Sequence, residues 1–148
     1  MSNTTIYCFR NDLRISDNPA FLKACSDSDF LLPLFCHPKE ELFKSNIPRI
    51  GIHRQFFLRQ ALDELKAVLN IYNSDLIEVY GDFAEEIQKI AETIHATKII
   101  FEKIEAPEEL DQENLVRNIG INVESIWQSS MIEPSELPFK PSDMPDIF

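Results

Sequence analysis

The densest polar run in the chain is Arg10-Asn11-Asp12-Leu13-Arg14-Ile15-Ser16-Asp17-Asn18, directly after the apolar stretch Ile6-Tyr7-Cys8-Phe9. Two arginines offer forked N–H donors that could grip an anionic or heteroaromatic ligand. The plainer reading of the same residues is a loop that satisfies itself, with carboxylates neutralising arginines and Asn18 capping a helix. A second constellation, Glu102, Glu105, Glu108 and Glu109, surrounds Pro107. The helix dipole favours a first-turn carboxylate by ~0.3–1 kcal/mol, which is enough to account for Glu108 and Glu109. A carboxylate in that place could equally accept two N–H bonds from the edge of a pterin-like or flavin-like ring.

Several familiar chemistries are excluded. No glycine-rich dinucleotide fingerprint follows the first apolar stretch, and neither a GxxxxGK[ST] loop, a GxSxG elbow nor a His-Glu-x-x-His pair occurs. Only three of the 148 residues are glycine, which argues against phosphate-cradling loops. His37, His53 and His95 lack ligand-like spacing, so no metal site is expected. Cys8, Cys25 and Cys36 form no Cys-x-x-Cys motif and read as reduced, buried thiols of a reducing compartment.

The elements that must position these residues alternate between short apolar runs and longer helical patterns. Strands are expected over Thr5–Phe9, Phe30–Cys36, Leu76–Tyr80, Lys98–Phe101 and Asn122–Ile126. In the second, Pro33 should confine the well-paired part to Leu34–Cys36. Helices are expected from Asn18-Pro19 to Cys25, from Ile50 to Ile71, from the Asp82 cap to Ile94, and from Pro107 to Ile119. Apolar stripes support the last three: Leu58, Ala61, Leu62, Leu65, Val68 and Leu69; Phe83, Ile87, Ile90, Ala91 and Ile94; Leu110, Leu115, Val116 and Ile119. Gly120 stands where a left-handed residue would end the last helix. Right-handed crossovers then give an α/β fold, a five-stranded parallel doubly wound (Rossmann-like) sheet of order 3-2-1-4-5 with helices on both faces. Ligands of such sheets bind beyond the strand carboxyl ends where the order reverses, here between the loops at 10–16 and 102–106.

At 148 residues the chain has the length of one domain, which buries ~70% of its unfolded surface. Fourteen Lys and Arg against 25 Asp and Glu leave a net charge of −11, a surface that repels a phosphate backbone, so no direct nucleic-acid binding is expected. No apolar run approaches the ~20 residues of a membrane span. Residues 1–20 carry neither a secretory signal nor a transit peptide, and a cytoplasmic location is expected. Residues 134–148 differ from the α/β unit at 1–133. Four prolines there imply an extended tail, while Leu137, Phe139, Met144, Ile147 and Phe148 are too apolar for a solvated linker and should lie against their own domain or a neighbouring molecule.

Tyr7-Cys8-Phe9-Arg10-Asn11-Asp12-Leu13-Arg14-Ile15-Ser16-Asp17-Asn18-Pro19-Ala20 resembles the opening motif of the photolyase/cryptochrome family in its DASH-type form. Trp127-Gln128-Ser129-Ser130-Met131, Glu136-Leu137-Pro138-Phe139 and Met144-Pro145-Asp146-Ile147-Phe148 are similar to that group's W-x-S-[ST]-[ML], DLPF and LPD[VI][FY] segments. The resemblance implies the α/β domain that precedes a helical FAD-binding domain. On this reading the helical part is absent from the chain, so neither FAD binding, catalytic residues nor light-dependent DNA repair is expected of these residues alone, and Trp127, the only tryptophan, cannot make an electron-transfer chain.

What the resemblance leaves is an antenna chromophore, bound weakly or not at all by the isolated domain. For a methenyltetrahydrofolate it points to Glu108, with Glu105 next. For a flavin or deazaflavin it points to Arg10, Phe35, Cys36, His37, Phe101 and Glu102. The alternative function is an interaction module that dimerises or docks a separate helical partner through the exposed interdomain face. A nucleotide-binding α/β protein of the wider superfamily lacks its phosphate loop.

Overall fold

The computed structural model describes residues 2–38, 50–140 and 143. In chain order the elements are β1 (Thr4–Phe9), α1 (Pro19–Asp27), β2 (Phe30–Pro38), α2 (Ile52–Ile71), β3 (Ile77–Gly81), α3 (Phe83–Ile94), β4 (Lys98–Lys103), α4 (Pro107–Arg117), β5 (Asn122–Trp127) and a 3-10 turn at Pro134–Glu136. The strands form one parallel sheet of order β3-β2-β1-β4-β5. β1 is central, with Cys8 opposite Leu34 on one side and Phe101 on the other.

Alternation along the strands sorts the core into two layers. Tyr7, Phe9, Phe35 and Ile100 pack against Ala20 and Ala24 of α1 and Leu62, Leu65 and Leu69 of α2. Ile6, Cys8, Leu34, Ile99 and Phe101 pack against Ile87 and Ala91 of α3 and Val116 of α4. Helices therefore cover both faces of the sheet. Caps set their starts: Phe21 N donates to Asn18 Oδ1 at 2.9 Å ahead of Pro19, and Ala84 N and Glu85 N donate to Asp82 Oδ1 at 3.1 and 3.2 Å.

Several sequence expectations are corrected. β2 pairs with β1 along Phe30–Phe35, Pro33 included, because the β2–β3 ladder begins only at Leu34 and Ile77, so the missing Pro33 N–H interrupts nothing there. Cys25 is exposed, since the α1 positions that face the sheet are Ala20 and Ala24. Leu115 is 53% exposed and turns away from its neighbour Val116. α4 ends at Arg117, and Gly120 takes its left-handed conformation (φ 85°) three residues later. The tail expected to be extended from residue 134 begins instead with the 3-10 turn and leaves Phe139 47% exposed. Met144, Ile147 and Phe148 lie outside the described residues. Among the described residues no helix is long and apolar enough to cross a membrane.

Candidate functional site

At the switch point Arg10 leaves β1 on the α3/α4 face of the sheet. Its guanidinium lies over the Phe83 and Phe101 rings, 5.1 and 5.3 Å from their centroids. It donates to the main-chain oxygens of Glu102 (3.4 Å) and Glu109 (3.3 Å) and to Gln112 Oε1 (2.9 Å). Burial lowers its pKa below the usual arginine value, and the Glu109 carboxylate is the strongest charge acting the other way. Arg10 thus clamps the start of α4 to the ends of β1 and β4.

Beside this clamp opens a crevice of about 210 Å³ lined by Phe9, Arg10, Asn11, Phe35, Cys36, Pro38, Gly81, Asp82, Phe83, Ile104, Glu109 and Gln112. Burial, followed by the carboxylates of Glu86 and Asp82, pushes the Cys36 thiol up to about 11, so this wall is a neutral thiol at physiological pH. The crevice therefore combines aromatic walls with convergent amides and carboxylates.

The other face of the sheet carries a buried polar network. Asp12 accepts from the Tyr7 hydroxyl, from Asn18 Nδ2 at 2.9 Å, from Gln128 Nε2 at 3.0 Å and from Arg10 N at 2.9 Å. Burial and then Asp12 hold the Tyr7 phenol well above its ordinary pKa. Glu102 is 8% exposed, its Oε1 accepts from Ser129 Oγ at 3.3 Å, and its Oε2 has no partner among the described residues. Burial and then Asp12 raise its pKa. The loop expected to neutralise its arginines does otherwise: Asp12 is taken by neutral donors, and Arg14 Nε donates to the Asp17 main-chain oxygen at 3.1 Å.

The sequence-derived set is therefore divided. Arg10, Phe35 and Cys36 line the crevice, and Phe101 forms the floor beneath Arg10. His37 points to the face opposite Cys36, on the same side as Phe35, and is stacked on Tyr80 (4.3 Å, 6°) with Nε2 2.7 Å from Glu78 Oε2, which also pairs with Arg59. The Glu102 carboxylate belongs to the Asp12 network. Glu105 pairs with Lys103 at 2.7 Å, and Glu108 is exposed on the first turn of α4. The sequence reading places Phe83 only in an apolar helix stripe, passes over Gln112 and gives Gln128 no role, while it counts Glu109 among the carboxylates around Pro107, with the helix dipole as the plainer account and a ring-edge acceptor as the other. The Glu109/Gln112 spacing of three on a helix beginning at Pro107 is a signal that could have found that pair; Gln128 had none. Among the described residues no group of acidic, histidine or cysteine side chains could hold a metal ion.

A family profile described as DNA photolyase matches residues 5–148. The chain is 35% identical over 154 residues to a chloroplastic/mitochondrial cryptochrome DASH of Arabidopsis thaliana, covering 97% of this chain and 27% of that protein. To the cryptochrome DASH of Synechocystis sp. it is 30% identical over 151 residues, covering 98% and 31%. The crystal structure of a Synechocystis cryptochrome superposes with a TM-score of 0.89 at 27% identity over 98% of this chain and 31% of that one. An archaeal photolyase from Sulfolobus tokodaii, solved with two FAD molecules, shares the fold at a TM-score of 0.75 and 20% identity, over 90% of this chain and 31% of that one. This chain thus spans about 30% of the length of the curated relatives it matches.

Proposed function

The chain belongs to the DNA photolyase family, and from that premise we propose that its α/β unit is an antenna-type domain that holds a flavin- or deazaflavin-class ring at the Arg10 crevice. The observation that carries this reading is the convergence of Phe9, Phe35 and Phe83 with the amides of Asn11 and Gln112 at the switch point. Such a lining suits a flat heterocycle with a polar edge. A volume of about 210 Å³ lies below the ~300–1,000 Å³ of pockets that enclose a whole drug-sized ligand, so the ring enters edge first and the rest of the molecule stays outside. When bound, such a group supplies absorption near the blue or ultraviolet edge.

A methenyltetrahydrofolate is the second reading. Its site is Glu108, exposed on the first turn of α4 next to the crevice wall residue Glu109, with Glu105 as the next choice. The remaining face carries the partner: a helical FAD-binding domain, with a second copy of the chain as the alternative. Met131 is fully exposed and Ile132 half exposed there, beside a cavity of about 470 Å³ lined by Arg14, Trp127, Ser129 and Glu133 among others. FAD chemistry and DNA repair by a whole relative are not assigned to these 148 residues.

The test is a titration of the purified chain with flavin mononucleotide and, separately, with methenyltetrahydrofolate, followed by flavin fluorescence and folate absorbance. Saturable flavin binding at one per chain, abolished by Cys36→Trp and untouched by Glu108→Gln, supports the crevice. Folate binding lost in Glu108→Gln, without flavin binding, overturns it in favour of the second reading. A chain that takes up neither leaves the interaction module as its function.

A further inference from the structure

We propose that Gln112 and Glu109 read the crevice ligand as a pair, selecting ring systems whose edge places a carbonyl acceptor beside an N–H donor. This rests on the reading that the crevice holds a heterocyclic ring. It goes beyond it by stating which edge of the ring enters and which two side chains discriminate.

The starting point is the orientation of one amide. Gln112 faces Arg10 Nη2 at 2.9 Å, and a guanidinium can only donate, so the atom facing it must be the amide oxygen. Arg10 cannot swing away to permit the other arrangement. Two more of its N–H groups donate to the main-chain oxygens of Glu102 and Glu109, and the Phe83 and Phe101 rings flank it. The Gln112 NH₂ is therefore turned away from Arg10. Gln112 lines the crevice, and among the described residues nothing accepts from its NH₂.

Glu109 stands three residues earlier on α4 and lines the same crevice, so the two side chains lie on one stripe of the helix. Among the described residues no hydrogen bond reaches its carboxylate, which accepts where the amide NH₂ donates. A fixed donor beside an acceptor is the complement of a lactam edge, the carbonyl and ring N–H of a pyrimidinedione. Arg10 is the positioning residue of this pair, since it fixes which end of the Gln112 amide the ligand meets.

The probes are lumiflavin, which carries that edge without phosphate or ribityl groups, and 3-methyllumiflavin, in which a methyl replaces the ring N–H. Each is titrated into the full 148-residue chain by fluorescence. Lumiflavin should bind at least about tenfold more tightly than its N3-methyl derivative, the size of one hydrogen bond to a charged acceptor. Gln112→Glu keeps an oxygen toward Arg10 but removes the donor. It should weaken lumiflavin by about tenfold or more while leaving the melting temperature unchanged or higher, a split that a merely structural role for Gln112 would not produce. Equal affinity for the two lumiflavins, or wild-type affinity in Gln112→Glu, overturns the paired reading and leaves the crevice reading standing, provided Cys36→Trp still blocks binding. Failure of both lumiflavins to bind the wild-type chain overturns the two readings together.

Discussion

The side-chain amide of Gln128 donates to the Asp12 carboxylate at 3.0 Å, joining the residue just past β5 to the loop that leaves β1, 116 positions earlier. The carbonyl of the same amide accepts from Ala20 N at 3.0 Å, so Gln128 also satisfies a first-turn N–H of α1. Gln128→Ala removes both bonds and leaves a helix N–H and a buried carboxylate each one partner short. The expected cost is about 1–2 kcal/mol, read as a lower urea midpoint with an unchanged slope. Gln128→Glu should cost more, because it places a second carboxylate against Asp12.

Glu102 gives a pH dependence with a defined sign. Burial and the neighbouring Asp12 raise its pKa in the folded state, so the native protein favours the neutral acid. Its contribution to stability is complete below the ordinary glutamate range near ~4.3 and is lost as pH rises through the raised folded value. At neutral pH the ionised side chain therefore opposes folding. Glu102→Gln keeps an oxygen for Ser129 and turns an NH₂ toward a site where Oε2 has no donor. The variant should melt higher than the parent at pH 8, and the difference should vanish or reverse below about pH 4. Thermal unfolding across that range measures it, and a constant difference at all pH values would sink the assignment.

The sheet order was legible because five apolar runs separated by helical patterns, each crossover right-handed, leave few topologies, and Asn18, Asp82 and Pro107 mark helix starts by side-chain chemistry alone. The switch-point location followed from the order. Which residues share a wall there was less accessible. β1 and β2 are apolar on both faces, so composition does not tell the layers apart, although strict alternation already forbids Cys36 and His37 from pointing the same way. The Arg10 contacts were hidden for another reason. Two of its three acceptors are main-chain oxygens, at Glu102 and Glu109, and every residue has one. Likewise Asp12 is held by a phenol and two amides, partners that charge matching among loop residues does not single out.

Arg10 also makes a prediction about mechanical coupling. Its planar fork reaches the end of β4 and the first turns of α4 together, which the single ammonium of a lysine cannot do. Arg10→Lys should destabilise the chain by about 2 kcal/mol. The loss should be local as well as global: hydrogen exchange of the α4 amides should accelerate more than that of α1. Equal acceleration in both helices would show that the clamp does not act on α4.

The three thiols should differ sharply in reactivity. Cys8 is fully buried, and burial raises its pKa well above the ordinary thiol value. Burial with Glu86 and Asp82 holds Cys36 at about 11, so at pH 8 about one molecule in a thousand carries the thiolate there. Cys25 is exposed on α1, although partial burial raises its pKa too. Iodoacetamide at pH 8 should therefore add one label per native chain, at Cys25, and three after unfolding in urea, both read by intact and peptide mass. The rate at Cys36 should climb about tenfold per pH unit until the pH nears 11, because only the thiolate reacts. Labelling of Cys36 ahead of Cys25 at pH 8 would contradict both the burial of that crevice wall and the charge that surrounds it.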